Sequence, residues 1–299
     1  GFFWRRFGRL DVPELDVLLC RSGFEGGVSS AGCIVCFFDP AAAGRSLQDL
    51  ERLRRESPVF LHDPRCDCLV HEIAHQWWGG QCSWSRRADC WITEGLAQFS
   101  TLLYLRDRLA DDDFLPILER QSAWVARYDG AGRVTENARL ALIQRDPVCA
   151  QAIVYDRSAL ILWMLREMLG GDEMDARLRR LLGRKRGAGW GTDEFAGELS
   201  GNDPVLAEFF RSWVGRADLP AIQCRVHREG KAVRVRIEQA NGPFVFPLRI
   251  VCRSEKGSHD FLMTVSRATE EFSFTLASAP LTVGVGREYV PARFVLQEE

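Results

Sequence analysis

Long apolar runs are scarce in this chain of 299 residues. The longest lie near residues 33–38 and 159–165, well short of the roughly 18 residues that a membrane-spanning helix needs. We therefore expect no membrane span. A large charge of either sign is also missing, because the formal net charge is −2. Charge therefore gives no reason to expect nucleic acid or an anionic membrane as a partner.

The N-terminal end lacks an initiator methionine and the ordered regions of a signal peptide. We therefore expect residues 1–8 to be the interior of a longer chain, with the natural N-terminus missing. Internal repeats and low-complexity tracts are absent as well. The 46% hydrophobic and 27% charged composition is that of an ordinary globular protein.

Cysteine occurs ten times, but not in a pattern that indicates a disulfide framework. A chain of this size does not need such cross-links, and Cys20, Cys33, Cys36 and Cys252 lie in apolar, strand-like runs. Cys33 and Cys36 have a CxxC spacing, but no second CxxC completes a zinc ribbon. We expect reduced, mostly buried thiols and, from them, a cytoplasmic location.

Hydrophobic periodicity predicts strands first and then helices. Residues 15–20 and 32–38 are predicted to be short buried strands, joined by a glycine-rich connection. Helical spacing of apolar residues follows at residues 47–53, 68–78, 93–109, 155–169 and 204–214. The acidic run at residues 111–113 is predicted to be a solvated helix N-terminus and not a metal site.

The period changes to two after residue 220. Val233, Val235 and Ile237 alternate with Arg234 and Arg236, which is typical of a half-buried strand. Further strand-like runs lie at residues 244–252, 261–265, 272–276 and 281–285. The sequence therefore predicts an α+β fold, with a mostly helical domain at residues 1–219 and a small β-sandwich at residues 220–299.

The strongest chemical signal is His71-Glu72-Ile-Ala-His75, in a run with helical spacing. Residues i and i+4 stack on one helical face, so both imidazoles can bind one zinc ion at about 2.1 Å. Glu72 then projects beside the ion. A carboxylate in that place suits metal-assisted hydrolysis, since it can take a proton from zinc-bound water and deliver it to a leaving amine.

A catalytic zinc site needs a third protein ligand, and Glu94 is the candidate. It lies nineteen residues after His75 on a second predicted helix, beyond a polar, turn-forming linker that can reverse the chain. The alternative is an ordinary surface carboxylate in the first turn of a helix. The remaining histidines, His62, His227 and His259, have no partner at ligand spacing.

The segments His71–Gly79 (HEIAHQWWG) and Trp91–Ala97 (WITEGLA) closely resemble the M1 family of zinc aminopeptidases, whose signature is HExxH, eighteen residues, then Glu. The resemblance implies a thermolysin-like catalytic domain with one Zn²⁺ and a peptide or protein substrate. It also implies a helical part, often a small β-sandwich, and in full-length members a preceding N-terminal β domain, which we expect this fragment to lack.

By position, Tyr155 resembles the family's tyrosine that stabilises the tetrahedral oxyanion. A phenol donor there is chemically sensible, although a buried core tyrosine is the alternative. The family's usual Lys-Gly after this tyrosine is replaced by Arg157-Ser158.

The family's Gly-x-Met-Glu-Asn loop resembles a segment that we expect to bind substrate. The segment consists of Gly26, Gly27, Val28, Ser29 and Ser30. In the family its glutamate binds the substrate's free α-amine, and here Ser29 stands at that position. Glu25 is the alternative anchor, although a strand-like backbone would aim it differently.

We therefore expect a zinc metallopeptidase in which His71, His75 and Glu94 hold the ion, Glu72 moves the proton and Tyr155 steadies the oxyanion. An aminopeptidase that releases N-terminal residues is the first reading. One alternative is a metallopeptidase that accepts N-blocked or internal bonds because the amine anchor is gone. Another is a catalytically silent binding or scaffold protein of the same fold. A third is a fragment that folds poorly or has a weakened site.

Overall fold

The computed structural model describes the chain except for residues 13, 22–25, 39–63, 142–146, 185–186, 287 and 299. The predicted helix at 47–53, His62 and Glu25 lie outside the described residues. A short helix, α1 (Phe2–Phe7), opens the described part.

A three-stranded sheet follows, made of β1 (Asp16–Arg21), β2 (Gly26–Ser30) and β3 (Cys33–Phe38). Its order is β1-β3-β2, with β1 parallel and β2 antiparallel to β3. Two expectations are corrected here. The glycine-rich segment 26–30 is an edge strand and not a loop, and β1 is exposed and not buried, with Leu19 at 70% exposure. The helix Pro64–Ala74 packs on β2 and β3, whereas β1 lies at the far edge of the sheet.

The middle of the chain is helical, as the spacing predicts. Its helices are α2 (Pro64–Ala74), α3 (Trp91–Arg108), α4 (Asp111–Ala126), α5 (Val134–Ala141), α6 (Pro147–Ala150), α7 (Ser158–Leu169), α8 (Gly171–Arg184), α9 (Thr192–Ser200) and α10 (Pro204–Val214). A 3₁₀ turn (Arg87–Asp89) precedes α3, and a π-helical segment (Gln151–Arg157) joins α6 to α7. Two short strands, β4 (Ser83–Trp84) and β5 (Gly189–Trp190), pair in parallel. The acidic run 111–113 forms the first turn of α4.

Helices α3 and α7 pack closely at the centre of the helical part. At Gly95 of α3, a Cβ atom would lie 2.6 Å from the Cβ of Ser158, so a glycine is needed for this approach. The contact places Glu94 of α3 beside the π-helical segment that carries Tyr155.

One helical stretch among the described residues, Val148–Leu169, has the length and apolar composition of a membrane span. Most of it lies inside the protein, since 78% of its most apolar window is buried. Such burial is typical of a core helix in a globular protein.

The chain continues as strands from Ala221 onward. These are β6 (Ala221–Glu229), β7 (Ala232–Gln239), β8 (Phe246–Ser254), β9 (Gly257–Val265), β10 (Thr269–Thr275), β11 (Thr282–Gly286) and β12 (Arg293–Glu298). They form a four-stranded sheet, β10-β7-β6-β12, and a three-stranded sheet, β11-β8-β9. Phe261 of β9 stacks on Phe274 of β10 with ring centroids 4.2 Å apart, which joins the two sheets. The predicted α+β fold with a small β-sandwich is confirmed, while the division into domains at residues 219 and 220 stays a prediction.

Candidate metal centre

His71 and His75 lie one helical turn apart at the end of α2. The regular helix ends at Ala74, earlier than the apolar spacing predicts, but the His75 amide still donates to the His71 carbonyl at 3.2 Å. The two imidazoles therefore share one face, and their Nε2 atoms are 3.1 Å apart.

Glu94 reaches the same point from the first turn of α3. Its Oε2 lies 3.5 Å from His71 Nε2 and 3.3 Å from His75 Nε2. A tetrahedral ion about 2.1 Å from each ligand would set the ligand atoms about 3.4 Å apart. The triangle of His71, His75 and Glu94 therefore fits one zinc ion, and within the described ranges this is the one group of metal-binding side chains that converges in this way.

Two carbonyl oxygens orient the imidazoles. His71 Nδ1 lies 3.1 Å from the side-chain oxygen of Gln98, and His75 Nδ1 lies 2.7 Å from the backbone carbonyl of Trp78. Because carbonyl oxygens only accept, each Nδ1 carries the hydrogen and leaves the Nε2 lone pair for a metal. The sequence does not single out Gln98, and its one signal is a position four residues after Glu94.

Charge in the cluster shifts the pKa values of its members. Burial opposes ionisation of Glu94, but the nearby His75 and His71 hold the pKa of its carboxyl far below the usual range. Burial would lower the pKa of His75, yet the Glu94 carboxylate raises it to about 9. The two shifts favour opposite charges on Glu94 and His75.

Glu72 is buried beside the two histidines that flank it in sequence. Burial raises the pKa of its carboxyl, which His71 and His75 partly offset. A carboxyl with a raised pKa in a cleft is suited to accept and return a proton near neutral pH.

Tyr155 lies on the π-helical segment, with its ring centroid 6.0 Å from that of His71. The Glu94 carboxylate, followed by burial, raises the pKa of the phenol, so the hydroxyl stays protonated and able to donate.

Two residues after Tyr155, Arg157 is fully buried. Its guanidinium donates to the backbone carbonyls of Trp213 at 3.0 Å and Arg216 at 2.9 Å. Arg157 thereby fixes the segment against the end of α10.

All ten residues predicted for the site line one cleft of about 670 Å³. They are His71, Glu72, His75, Glu94, Tyr155, Gly26, Gly27, Val28, Ser29 and Ser30. Strand β2 forms one wall, and Gly27 lies so close to Glu72 that a Cβ atom there would be 2.4 Å from the Glu72 Cγ. The other wall-forming residues include Trp84, Thr93 and Gln151. His227 and His259 lie far along the chain, in strands β6 and β9.

The sequence pattern of the M1 peptidase family domain matches residues 62–213, half of the chain. The chain belongs to peptidase family M1. The resemblance seen in the HExxH and Glu94 segments is thus confirmed, and this M1 chain keeps the eighteen-residue spacing between His75 and Glu94.

Curated relatives resemble this M1 chain at modest identity. The tricorn protease-interacting factor F2 of Thermoplasma volcanium is 23% identical over 205 residues, which cover 65% of this chain and 26% of that protein. The membrane alanyl aminopeptidase of Manduca sexta is 28% identical over 247 residues, which cover 70% of this chain and 24% of that protein. This chain thus spans about a quarter of the length of these relatives.

A solved structure shows the same fold. Aminopeptidase A of Legionella pneumophila, crystallised in complex with aspartic acid, superimposes with a TM-score of 0.69. The match covers 100% of this M1 chain and 33% of that protein, at 16% sequence identity.

Proposed function

We propose that this chain is a zinc metallopeptidase that hydrolyses peptide bonds. Of two candidate specificities, the first is that of an aminopeptidase. The observation that carries the proposal is the triangle of His71, His75 and Glu94, whose edges of 3.1–3.5 Å match a tetrahedral zinc site. Relatives named as alanyl and glutamyl aminopeptidases support the release of N-terminal residues.

When bound to these three ligands, zinc would polarise the scissile carbonyl and lower the pKa of a water molecule. Glu72, buried beside them, accepts a proton on its carboxylate and delivers it to the leaving nitrogen. Tyr155 donates a hydrogen bond from its phenol to the carbonyl oxygen as negative charge develops there. The wall formed by β2 holds the peptide in the cleft.

Strand β2 favours a second specificity of the same peptidase, in which the enzyme cleaves N-blocked or internal bonds. Ser29 replaces the family's amine-binding glutamate, and its hydroxyl is already engaged: it donates to the Glu72 carbonyl at 3.0 Å and accepts from Gln76 at 2.6 Å. Among the described residues that line the cleft, the carboxylates are Glu72 and Glu94. Neither is free to anchor an α-ammonium group, since both belong to the metal centre.

The test is hydrolysis of one peptide series, offered with free and with acetylated N-termini, by the zinc-loaded protein. Glu72→Gln should lower kcat by about 10²-fold or more, since it removes the proton carrier while keeping the side chain's shape. Glu119→Gln, at an exposed position on α4, is the matched control and should leave kcat unchanged.

Preference for free N-termini supports an aminopeptidase with an unusual anchor. Equal or faster cleavage of the acetylated series supports the altered specificity. Absence of Glu72-dependent cleavage in both series contradicts the proposed function.

A further inference from the structure

Gln76, the residue after His75, connects the metal-binding helix to strand β2. Its side chain is 2% exposed. The Nε2 atom donates to Ser29 Oγ at 2.6 Å and to the Ser30 carbonyl at 2.9 Å. The Oε1 atom accepts from the Gly32 amide at 2.8 Å. The donors and the acceptor of one amide side chain are thus all directed to β2 and the turn that follows it.

The same strand is pressed against the proposed base. Ser29 Oγ donates to the backbone carbonyl of Glu72 at 3.0 Å, and Gly27 leaves no room for a Cβ atom beside the Glu72 side chain. One edge of β2 pairs with β3, and no strand pairs with its other edge within the described parts of the chain. An edge strand has fewer backbone partners than a central one, so its position depends on side-chain contacts such as those of Gln76.

We propose that Gln76 is a positioning residue that clamps β2 over Glu72 and so fixes where a bound peptide lies relative to the metal centre. The proposal rests on the proposed function for its effect on substrate, but the clamp itself is a property of the folded chain. Glutamine suits the task because its amide both donates and accepts. A glutamate at this position keeps the acceptor for Gly32 and loses the donors to Ser29 and Ser30.

The clamp is tested first by amide hydrogen exchange in the zinc-free protein, which needs no catalysis. In Gln76→Leu and Gln76→Glu, peptides that cover residues 26–32 should exchange at least about tenfold faster than in the wild type. Gln81→Leu is the matched control, because Gln81 is also buried but donates to the Arg9 carbonyl and not to β2. Unchanged exchange of residues 26–32 in both Gln76 variants overturns the clamp.

The effect on ligand position is tested with two inhibitors of the zinc-loaded protein. Acetohydroxamate contacts the metal centre alone, whereas a hydroxamate attached to a dipeptide also reaches β2. Gln76→Leu should weaken the peptide hydroxamate by about tenfold or more and change acetohydroxamate by less than about twofold. General damage to the site would weaken both inhibitors alike and would overturn the positioning role.

Failure of the proposed function is distinguishable from failure of this inference. A wild-type protein that binds zinc and hydroxamates but cleaves no peptide contradicts the peptidase proposal, while the exchange rates and the ratio of the two inhibitor affinities still decide the role of Gln76.

Discussion

At the scale of single residues, Asp156 is an unusual neighbour of the proposed oxyanion donor. It directly follows Tyr155 and is fully buried. Gln121 donates to Asp156 Oδ1 at 2.9 Å, whereas Asp156 Oδ2 and Gln121 Oε1 have no hydrogen-bond partner among the described residues. Burial raises the pKa of the Asp156 carboxyl to about 7, against the opposing effect of the Gln121 hydrogen bond.

Asp156→Asn should therefore stabilise the protein at neutral pH. The pKa of this carboxyl is about 7 in the folded state and about 3.9 in an unfolded chain. The stability it contributes is fully present below pH ~4 and is lost as the pH rises to ~7, because the unfolded state releases the proton first. Asparagine does not titrate, and its NH₂ group is a donor where the carboxylate has none. The advantage of the variant should grow over that range by about 1.4 kcal/mol for each unit of the pKa difference.

Denaturant unfolding at pH 4 to 8 checks this expectation. Asp112→Asn, exposed in the first turn of α4, is the control and should show no comparable growth with pH. A stability difference between Asp156→Asn and the wild type that stays constant across pH would contradict the buried, proton-binding role of Asp156.

At the scale of elements, the position of β2 decides the shape of the cleft. Its two glycines differ: a Cβ atom at Gly27 would lie 2.4 Å from Glu72 Cγ, while a Cβ atom at Gly26 would meet nothing within 4 Å. The glycine at position 27 therefore reflects a close approach to the proposed base, whereas no such contact requires a glycine at position 26.

Gly27→Ala should push β2 and Glu72 apart, whereas Gly26→Ala should be tolerated. We expect Gly27→Ala to lower the free energy of unfolding by about 1–3 kcal/mol and to reduce kcat/KM for peptide hydrolysis by more than about tenfold. Bound zinc should stay the same, since none of its three proposed ligands is on β2. Thermal melts, zinc content and kcat/KM of the two variants, measured side by side, test this. Equal effects at Gly26 and Gly27 would be incompatible with the close contact.

At the scale of the whole molecule, the metal centre joins separate parts of the chain. Its ligands come from the end of α2 and from the first turn of α3, which are linked by the turn that contains Gly79 and Gly80. A ligand that binds only the folded arrangement stabilises it by mass action.

Zinc should therefore raise the melting temperature of the zinc-free protein. At free zinc 1,000-fold above Kd, the free energy of unfolding should increase by about 4 kcal/mol. Each kcal/mol should raise the melting temperature by roughly 2–4 °C, the range for large single domains. His75→Ala should lose most of this gain, and Mg²⁺ should not replace zinc, since it prefers oxygen ligands. Differential scanning calorimetry with zinc and with a chelator measures the shift. An equal zinc-dependent shift in His75→Ala would place the stabilising ion elsewhere.

Local patterns in the sequence determine most of the helices and the chemical type of the metal centre. Helix α10 begins at Pro204 and ends at Val214, as its spacing predicts, because its apolar face and the Asp203 N-cap before Pro204 are both local signals. The sequence identifies His71, His75 and Glu94 because two histidines one helical turn apart can bind one zinc ion, and a carboxylate at a fixed spacing supplies the third ligand.

Contacts between segments distant in sequence are decided only by the tertiary structure. The sequence predicts a loop at residues 26–30, but antiparallel pairing with β3, which begins at Cys33, makes this segment one strand of a hairpin. Its glycines hide this strand from propensity, and its place in the cleft depends on contacts with the distant helix α2. The partners of Gln76 on β2 and in the turn that follows it are 44 to 47 residues away, and Gln121 is 35 residues from Asp156. Spacing along the chain can specify the metal ligands, but the clamp and the buried acid exist only once distant segments exclude water between them and direct their polar groups to one another.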